Sequence, residues 1–381
     1  MGEPAVAATA EGGHQGRTSP YAPADLDRVP AVEALLVRLG LGPLDRDTLS
    51  APPGRNQVWV GETPVRKVFV KRLVGAEPDV RSRMARLMAF QRFAASLPPG
   101  SLRVPELLGC DPEAGIVVFE GVDGAVSGAS LMVDEEFGEE LSRLTGEALG
   151  LVHAATPPAD TLVTEAPPIQ PSVELLEALP SVMFDQLSFG ELQAWQLMQG
   201  DPELARAVAG LRRREQMAPK VPAHCDFRVD QLLVADGTVL ISDWEEFRLA
   251  DPARDVGGFA GEWLYRSVLD IVTTRGGAEP IADELTHETV IQRGAASLER
   301  LRPHIEQFWR GYVGVRGETV DGELAERATA FAGWHLLDRL LAGSSRTSKL
   351  SGIERAAAGI GRTALLSPDR FASAIGLGRM P

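Results

Sequence analysis

Two short stretches hold the residues best suited to chemistry, Ala223-His-Cys-Asp-Phe-Arg-Val-Asp-Gln-Leu-Leu-Val234 and Leu240-Ile-Ser-Asp-Trp-Glu-Glu246. A polar loop leads into an apolar run from Gln231 to Val234, and Ala235-Asp-Gly237 then carries the turn chemistry that hairpins prefer. A second apolar run from Thr238 to Ser242 returns the chain, so Asp226 and Asp243 are expected at neighbouring positions at one hairpin base. Two carboxylates placed that way suit phosphoryl transfer. One orients or deprotonates an acceptor hydroxyl, and the other holds the Mg²⁺ that neutralises nucleotide phosphates. Asp226 suits the first role and Asp243 the second. A single aspartate of this kind is as ordinary as any surface-turn residue, but here several elements agree in order and spacing.

The elements that would position these residues fall into two lobes. Residues 1–24 are small and polar, with little to bury, and read as a flexible tail. A short helix is expected over Ala31 to Leu39, then a hairpin from Gln57 to Gly61 and Val65 to Leu73, and a helix from Arg81 to Leu97, where Pro98-Pro99-Gly100 ends it. Strands near Leu107 and over Ile116 to Glu120 complete a small antiparallel sheet with one helix, so 25–122 reads as a first lobe. Residues 123–381 read as a larger, mainly α-helical second lobe, opening with an amphipathic helix over Glu136 to Ala155. Its one clear β element is the hairpin between the two aspartates.

A chain of 381 residues exceeds one ordinary core and leaves room for two packed units, one to bind and one to position. The formal charge of -15 repels nucleic acid and acidic membranes and favours a basic or cationic partner. Two cysteines, Cys110 and Cys225, suggest neither a disulfide framework nor a metal knuckle. No run of about 18 apolar residues and no export pattern occurs, so a cytoplasmic location is expected. His153 reads as a packed or capping histidine, and Trp263, Phe331 and Trp334 as core. Glu245 and Glu246 could meet a cation or form a solvated loop. No Cys/His set has zinc spacing, and no Ser/His/Asp elbow appears.

His224-x-Asp226 followed by Ile241-x-Asp243-Trp244 resembles the catalytic and metal loops of the aminoglycoside phosphotransferase and choline-kinase-like family, and Asp251-Pro-Ala-Arg-Asp255 extends the likeness. In outline it covers about residues 30 to 345. The resemblance implies an α+β, bilobal protein-kinase-like fold and transfer of the γ-phosphate of ATP, with Mg²⁺, to an alcohol. It implies Asp226 as the catalytic residue, His224 as its loop-orienting neighbour, Asp243 as a metal ligand and Asp255 as the brace of the loop. Val68-Phe-Val-Lys71-Arg72 resembles the strand whose lysine holds nucleotide phosphates, and Glu120 to Val122 falls where the family hinge presents backbone groups to adenine. Gly54 to Gly61 would be the nucleotide-covering loop, although Gly-x-Gly-x-x-Gly is absent.

Two positions depart from the family pattern. The metal-binding Asn expected five residues after the catalytic Asp is Gln231, whose amide oxygen sits one methylene further out. The first-lobe helix carries Gln91 where a Glu would pair with the strand lysine. Three functional readings follow. The catalytic stretches are similar to phosphotransferase-like proteins of class V lanthipeptide and thioamitide (RiPP) biosynthesis, which implies phosphorylation of Ser or Thr in a precursor peptide before a partner lyase eliminates phosphate. There Gln231 would be a subtype feature, and a stable complex with the lyase would raise effective concentration. The broader family implies an aminoglycoside or other small-molecule kinase. Gln91 and Gln231 together allow a pseudokinase scaffold that binds leader peptide or lyase.

Overall fold

Alternating apolar residues make the first sheet. Val58-Trp-Val60 and Val68-Phe-Val70 place every second side chain inward, and in the computed structural model they form β1 (Gln57–Glu62) and β2 (Lys67–Arg72). The structure describes residues 23–52, 54–159, 168, 170–184, 186–277, 286–345 and 347–378. Residues 1–22 of the tail expected at 1–24 lie outside the described residues, whereas Ala24 is tied to the sheet, its carbonyl accepting from Trp59 Nε1 at 3.0 Å. With α1 (Pro30–Arg38) ahead of β1, the chain continues through α2 (Glu77–Ser96), β3 (Leu107–Asp111) and β4 (Ile116–Glu120). The four strands pair antiparallel in the order β1-β2-β4-β3. Val32, Leu35 and Leu36 of α1 join Trp59, Val70 and Val118 in one buried cluster. The short helix expected over Ala31 to Leu39 is therefore the one that packs into the core of this sheet.

Two compact units emerge: one reaches to Arg81 and includes Glu106–Gly121, and the other takes Ser82–Pro105 and everything from Val122. The sequence assigns all of 25–122 to the first lobe. Most of α2 goes instead with the second unit, because its side chains pack on the segment after Asp243. α2 also starts four residues earlier than its apolar spacing indicates. Pro78 fits a first turn, where its missing N–H leaves no bond unmade. Glu77 thus opens the helix instead of preceding it, and it pairs with Arg81 at 2.8 Å.

The second unit is mainly helical, as expected. β5 (Val126–Ser127) and α3 (Gly128–Val133) lead to α4 (Glu139–Ala154), α5 (Val173–Glu177), α6 (Ser181–Phe184), α7 (Phe189–Gln199) and α8 (Pro202–Met217). β6 (Val221–Ala223), β7 (Leu232–Ala235), β8 (Thr238–Ile241) and β9 (Arg248–Ala250) precede α9 (Ala253–Leu269), α10 (His287–Arg316), α11 (Leu324–Ser344), α12 (Gly352–Leu366) and α13 (Pro368–Ala374). The β7–β8 hairpin is present, but it is not the unit's one β element. β5 adds a third strand to it, and β6 pairs with β9. These extra strands are two or three residues long, too short for alternation to mark them. α4 and α10 meet backbone to backbone: a Cβ on Gly146 would lie 2.0 Å from the Phe308 carbonyl oxygen. Phe308 stacks on Phe259 of α9 with centroids 4.1 Å apart. Among the described residues no helix is long and apolar enough to cross a membrane.

Candidate active site

The loop ahead of Asp226 bends through an uncommon backbone. Cys225 has φ +65°, a left-handed conformation that costs an L-residue roughly 1–2 kcal/mol. Asp255, in the first turn of α9, holds it there. Its fully buried carboxylate accepts two consecutive N–H groups, from His224 at 2.7 Å and from Cys225 at 2.7 Å. His153 Nε2 adds a bond of 3.1 Å, and its Nδ1 meets the Tyr312 hydroxyl at 2.9 Å. Burial lowers the His153 pKa and raises that of Tyr312. The ring is therefore neutral, with Tyr312 donating to Nδ1 and Nε2–H donating to Asp255. This is the packed role expected of His153.

His224 is also fully buried. Its Nε2 donates to the Ser242 carbonyl at 2.8 Å, and its Nδ1 accepts the Asp226 N–H at 3.3 Å. One imidazole thus ties the Asp226 loop to the residue before Asp243 and closes the hairpin base as the spacing predicts. With both nitrogens engaged, His224 positions the loop. Gly258 of α9 lets the loop sit this close, since a Cβ there would lie 2.4 Å from the Phe227 carbonyl oxygen.

Asp243 also lies in the left-handed region, at φ +64°. The residues after it are fastened to α2. Trp244 stacks on Phe90 with centroids 3.9 Å apart, and Phe247 stacks on Phe93 at 5.2 Å. Arg83, with no exposed side-chain surface, donates to Glu245 Oε1 at 2.8 Å. Arg86 Nε donates to the Glu245 carbonyl at 2.8 Å, and its terminal nitrogen reaches Glu246 at 3.2 Å. Glu245 and Glu246 are therefore anchors, not a solvated acidic loop. Arg83 and Arg86 are the site residues that sequence reasoning missed. Their spacing of three along one helix face is the only local signal they give.

A cavity of about 150 Å³ opens beside Asp226. Phe331, Trp334, His335 and Asp338, on successive turns of α11, line it opposite Cys225, Asp226 and Arg228. Arg228 grips Asp226 at 3.0 Å through Nε and 3.2 Å through a terminal nitrogen, and it reaches Asp230 at 3.2 Å. Burial disfavours the guanidinium charge, but Asp226, Asp230 and Glu262 outweigh it and raise the Arg228 pKa. Burial pushes the Cys225 thiol well up, which removes it as a nucleophile.

The remaining expected site residues divide between the two units. In the first, Lys71 is buried on β2, opposite Val58 of β1 and Val117 of β4. Glu120 ends β4, where its N–H donates to the Glu106 carbonyl and its carboxylate meets Arg66 at 3.3 Å. In the second unit, Val122 accepts a turn bond from Ala125 at 3.4 Å, and Gln91 is partly buried on α2. The Gln231 carbonyl accepts from Ser242 N at 2.8 Å and Ser242 Oγ at 2.9 Å, which holds this residue beside the approach to Asp243. Asp243 and Gln231 carry a carboxylate and an amide oxygen, the donor chemistry an oxygen-seeking cation such as Mg²⁺ takes.

A small antiparallel sheet, a helical second unit and two aspartates at the ends of one hairpin define a kinase-like phosphotransferase. The model of the phosphotransferase enzyme family matches residues 52–304, well over half of the sequence, and the chain belongs to that family. It is accordingly a phosphotransferase. Similar solved structures include a choline/ethanolamine kinase family protein from Mesorhizobium loti, 18% identical with a TM-score of 0.51 over 93% of this chain and 99% of that one. Choline kinase LicA from Streptococcus pneumoniae is 14% identical, with a TM-score of 0.53 over 90% and 99%. A microcompartment-associated aminopropanol kinase is 15% identical, with a TM-score of 0.50 over 91% and 99%. These likenesses bear out the α+β, bilobal protein-kinase-like fold. No curated protein matches the chain.

Proposed function

We propose that the protein transfers the γ-phosphate of ATP to Ser or Thr hydroxyls of a ribosomally made precursor peptide, ahead of phosphate elimination by a partner lyase. The observation that carries the transfer chemistry is the fixed pair of aspartates, joined at the hairpin base by the bond between His224 and the Ser242 carbonyl at 2.8 Å. Asp226 orients the acceptor hydroxyl and takes its proton as the new O–P bond forms and the bond between phosphorus and the ADP oxygen breaks. Asp243 and Gln231 would hold Mg²⁺, whose charge offsets that of the phosphates. Lys71 would contact nucleotide phosphates, Glu120 and Val122 would contribute hinge backbone, and Gln91 would stand in for the usual helix glutamate. Asp255 and His224 keep the catalytic loop in its bent form.

The acceptor class is supported by the cavity at Asp226. About 150 Å³ is below the roughly 300–1,000 Å³ usual for a whole small-molecule ligand, and it suits one hydroxyl-bearing side chain. Exposed apolar residues on α6 and α7, Val182, Phe184 and Phe189, offer surface for a partner such as the lyase. A small-molecule acceptor is the second reading, favoured by the small-molecule kinases among the similar structures. Labelled ATP, Mg²⁺ and a panel of peptide and small-molecule acceptors separate these readings. We expect label on Ser/Thr peptides, lost by about 10³-fold or more in Asp226→Asn. ATP binding without transfer to any acceptor would instead identify a scaffold, and undiminished transfer in the variant would remove Asp226 from the chemistry.

A further inference from the structure

The cavity beside Asp226 is charge-matched. Five of its lining residues carry ionisable groups of the acidic or basic kind, Asp226, Arg228, Arg254, His335 and Asp338, and each lies against a partner of the opposite kind. Asp226 and Arg228 answer one another at 3.0 Å. Arg254 is bonded to Glu215 and lies over the Phe331 ring, 4.8 Å from its centre. His335 faces Glu262 at 2.8 Å, and Asp338 meets Arg339 at 2.8 Å. Glu262 is buried, which alone would raise its pKa, yet His335, Arg339 and Arg228 draw it down to about 2. It is an anion throughout the working range, and the guanidinium groups of Arg339 and Arg228 already act on it.

We infer that this cavity selects an acceptor that is uncharged next to its hydroxyl, and that the α11 stripe of Trp334, His335 and Asp338 sets this choice. The inference rests on the phosphotransferase reading and narrows its substrate. An ammonium group entering the cavity would meet carboxylates that already hold guanidinium groups, and it would lose hydration without gaining a free anion. A neutral hydroxyl needs only an acceptor lone pair, which Asp226 retains while paired, since a carboxylate offers about four lone-pair positions. Trp334 and Phe331 supply apolar wall for the short carbon arm that bears the hydroxyl. The net charge of -15, which by itself favours a cationic partner, is thus not expressed where the acceptor binds.

Binding and transfer are measured separately, so the two readings fail separately. Quenching of Trp334 fluorescence in the ADP-bound protein, with Trp334→Phe as the blank, reports binding of a blocked neutral Thr tetrapeptide, choline or kanamycin. Half-saturation by the neutral peptide is expected at a concentration at least about tenfold lower than by either amine. Arg339→Gln, which leaves Asp338 uncompensated, is expected to narrow that ratio by about fivefold or more through tighter amine binding. Tighter amine binding by the unaltered protein, an unchanged ratio in Arg339→Gln, or no Trp334 response to any of the three overturns the inference. Peptide binding without labelled product would leave the selectivity standing and count against the transfer assignment.

Discussion

The two ends of the β7–β8 hairpin each present an aspartate, and each is preceded or formed by a residue in the left-handed region, yet they are held by opposite chemistry. At the Asp226 end a buried carboxylate, Asp255, grips backbone N–H groups directly. At the Asp243 end buried arginines from α2 grip the side chains and carbonyl of the following residues, Glu245 and Glu246. The first arrangement fixes the peptide geometry itself. The second fixes a segment through its side chains and an aromatic stack, so several contacts share the work. Damage to the Asp255 end should therefore be nearly total, and damage to the Asp243 end should be partial and open to repair.

Asp255→Ala tests the first half of that contrast. It strips acceptors from two main-chain N–H groups and from His153, each worth about 1–3 kcal/mol when buried and unsatisfied. A stability loss of roughly 3–6 kcal/mol is expected, with transfer abolished. Denaturant unfolding measures the first and labelled-ATP turnover the second. Retention of both would show that the bent Cys225 backbone does not depend on Asp255.

Arg83→Met tests the other half. Removing one partner of a buried ion pair costs about 3–5 kcal/mol, because the remaining charge stays behind. The stack of Phe90 on Trp244 should limit the loss here to the lower end, with turnover reduced about tenfold. Replacing both partners, Arg83→Met with Glu245→Leu, should recover most of the stability, since two apolar side chains leave no buried charge. Unfolding free energies of the two single variants and the double variant give the coupling. A double variant no more stable than Arg83→Met would mean that Glu245 is not what Arg83 holds.

The same contrast explains what the sequence made readable. Asp226, Asp243 and Asp255 lie within about thirty residues of one another, around a hairpin whose turn is explicit in Ala235-Asp-Gly237. His224 and Gln231 come with that run. Arg83 and Arg86 are some 160 positions away, and on an amphipathic helix two arginines three apart look like any solvated face. Nothing local distinguishes a guanidinium that finds water from one that finds Glu245. The helix itself was legible from Met84, Leu87, Phe90 and Phe93. Its first turn was not, because Glu77-Pro78 resembles a loop until the fold shows Pro78 within the helix.

The smallest effect is a titration that belongs to one end only. His153 stands behind Asp255, faced by Tyr312, Arg316 and Asp251 as well. Its folded-state pKa is depressed below 6.5 by burial, with the carboxylate of Asp255 opposing but not cancelling that effect. Above about pH 6.5 the ring is neutral in both folded and unfolded chains, and its contribution to stability is complete. Below that, the unfolded chain takes up a proton that the folded one resists, so stability falls as pH drops toward the folded pKa, by at most about 1.4 kcal/mol per pH unit for one proton. His153→Gln keeps an amide N–H for Asp255 and a carbonyl for the Tyr312 hydroxyl, and has nothing to titrate. Urea unfolding from pH 7.5 to 5 should therefore show a shallower acid-side decline in the variant, while Arg83→Met should leave that slope as it is. An equal slope in His153→Gln and the unaltered protein would place the acid sensitivity elsewhere, and a slope altered by Arg83→Met would mean that the two ends of the hairpin are coupled.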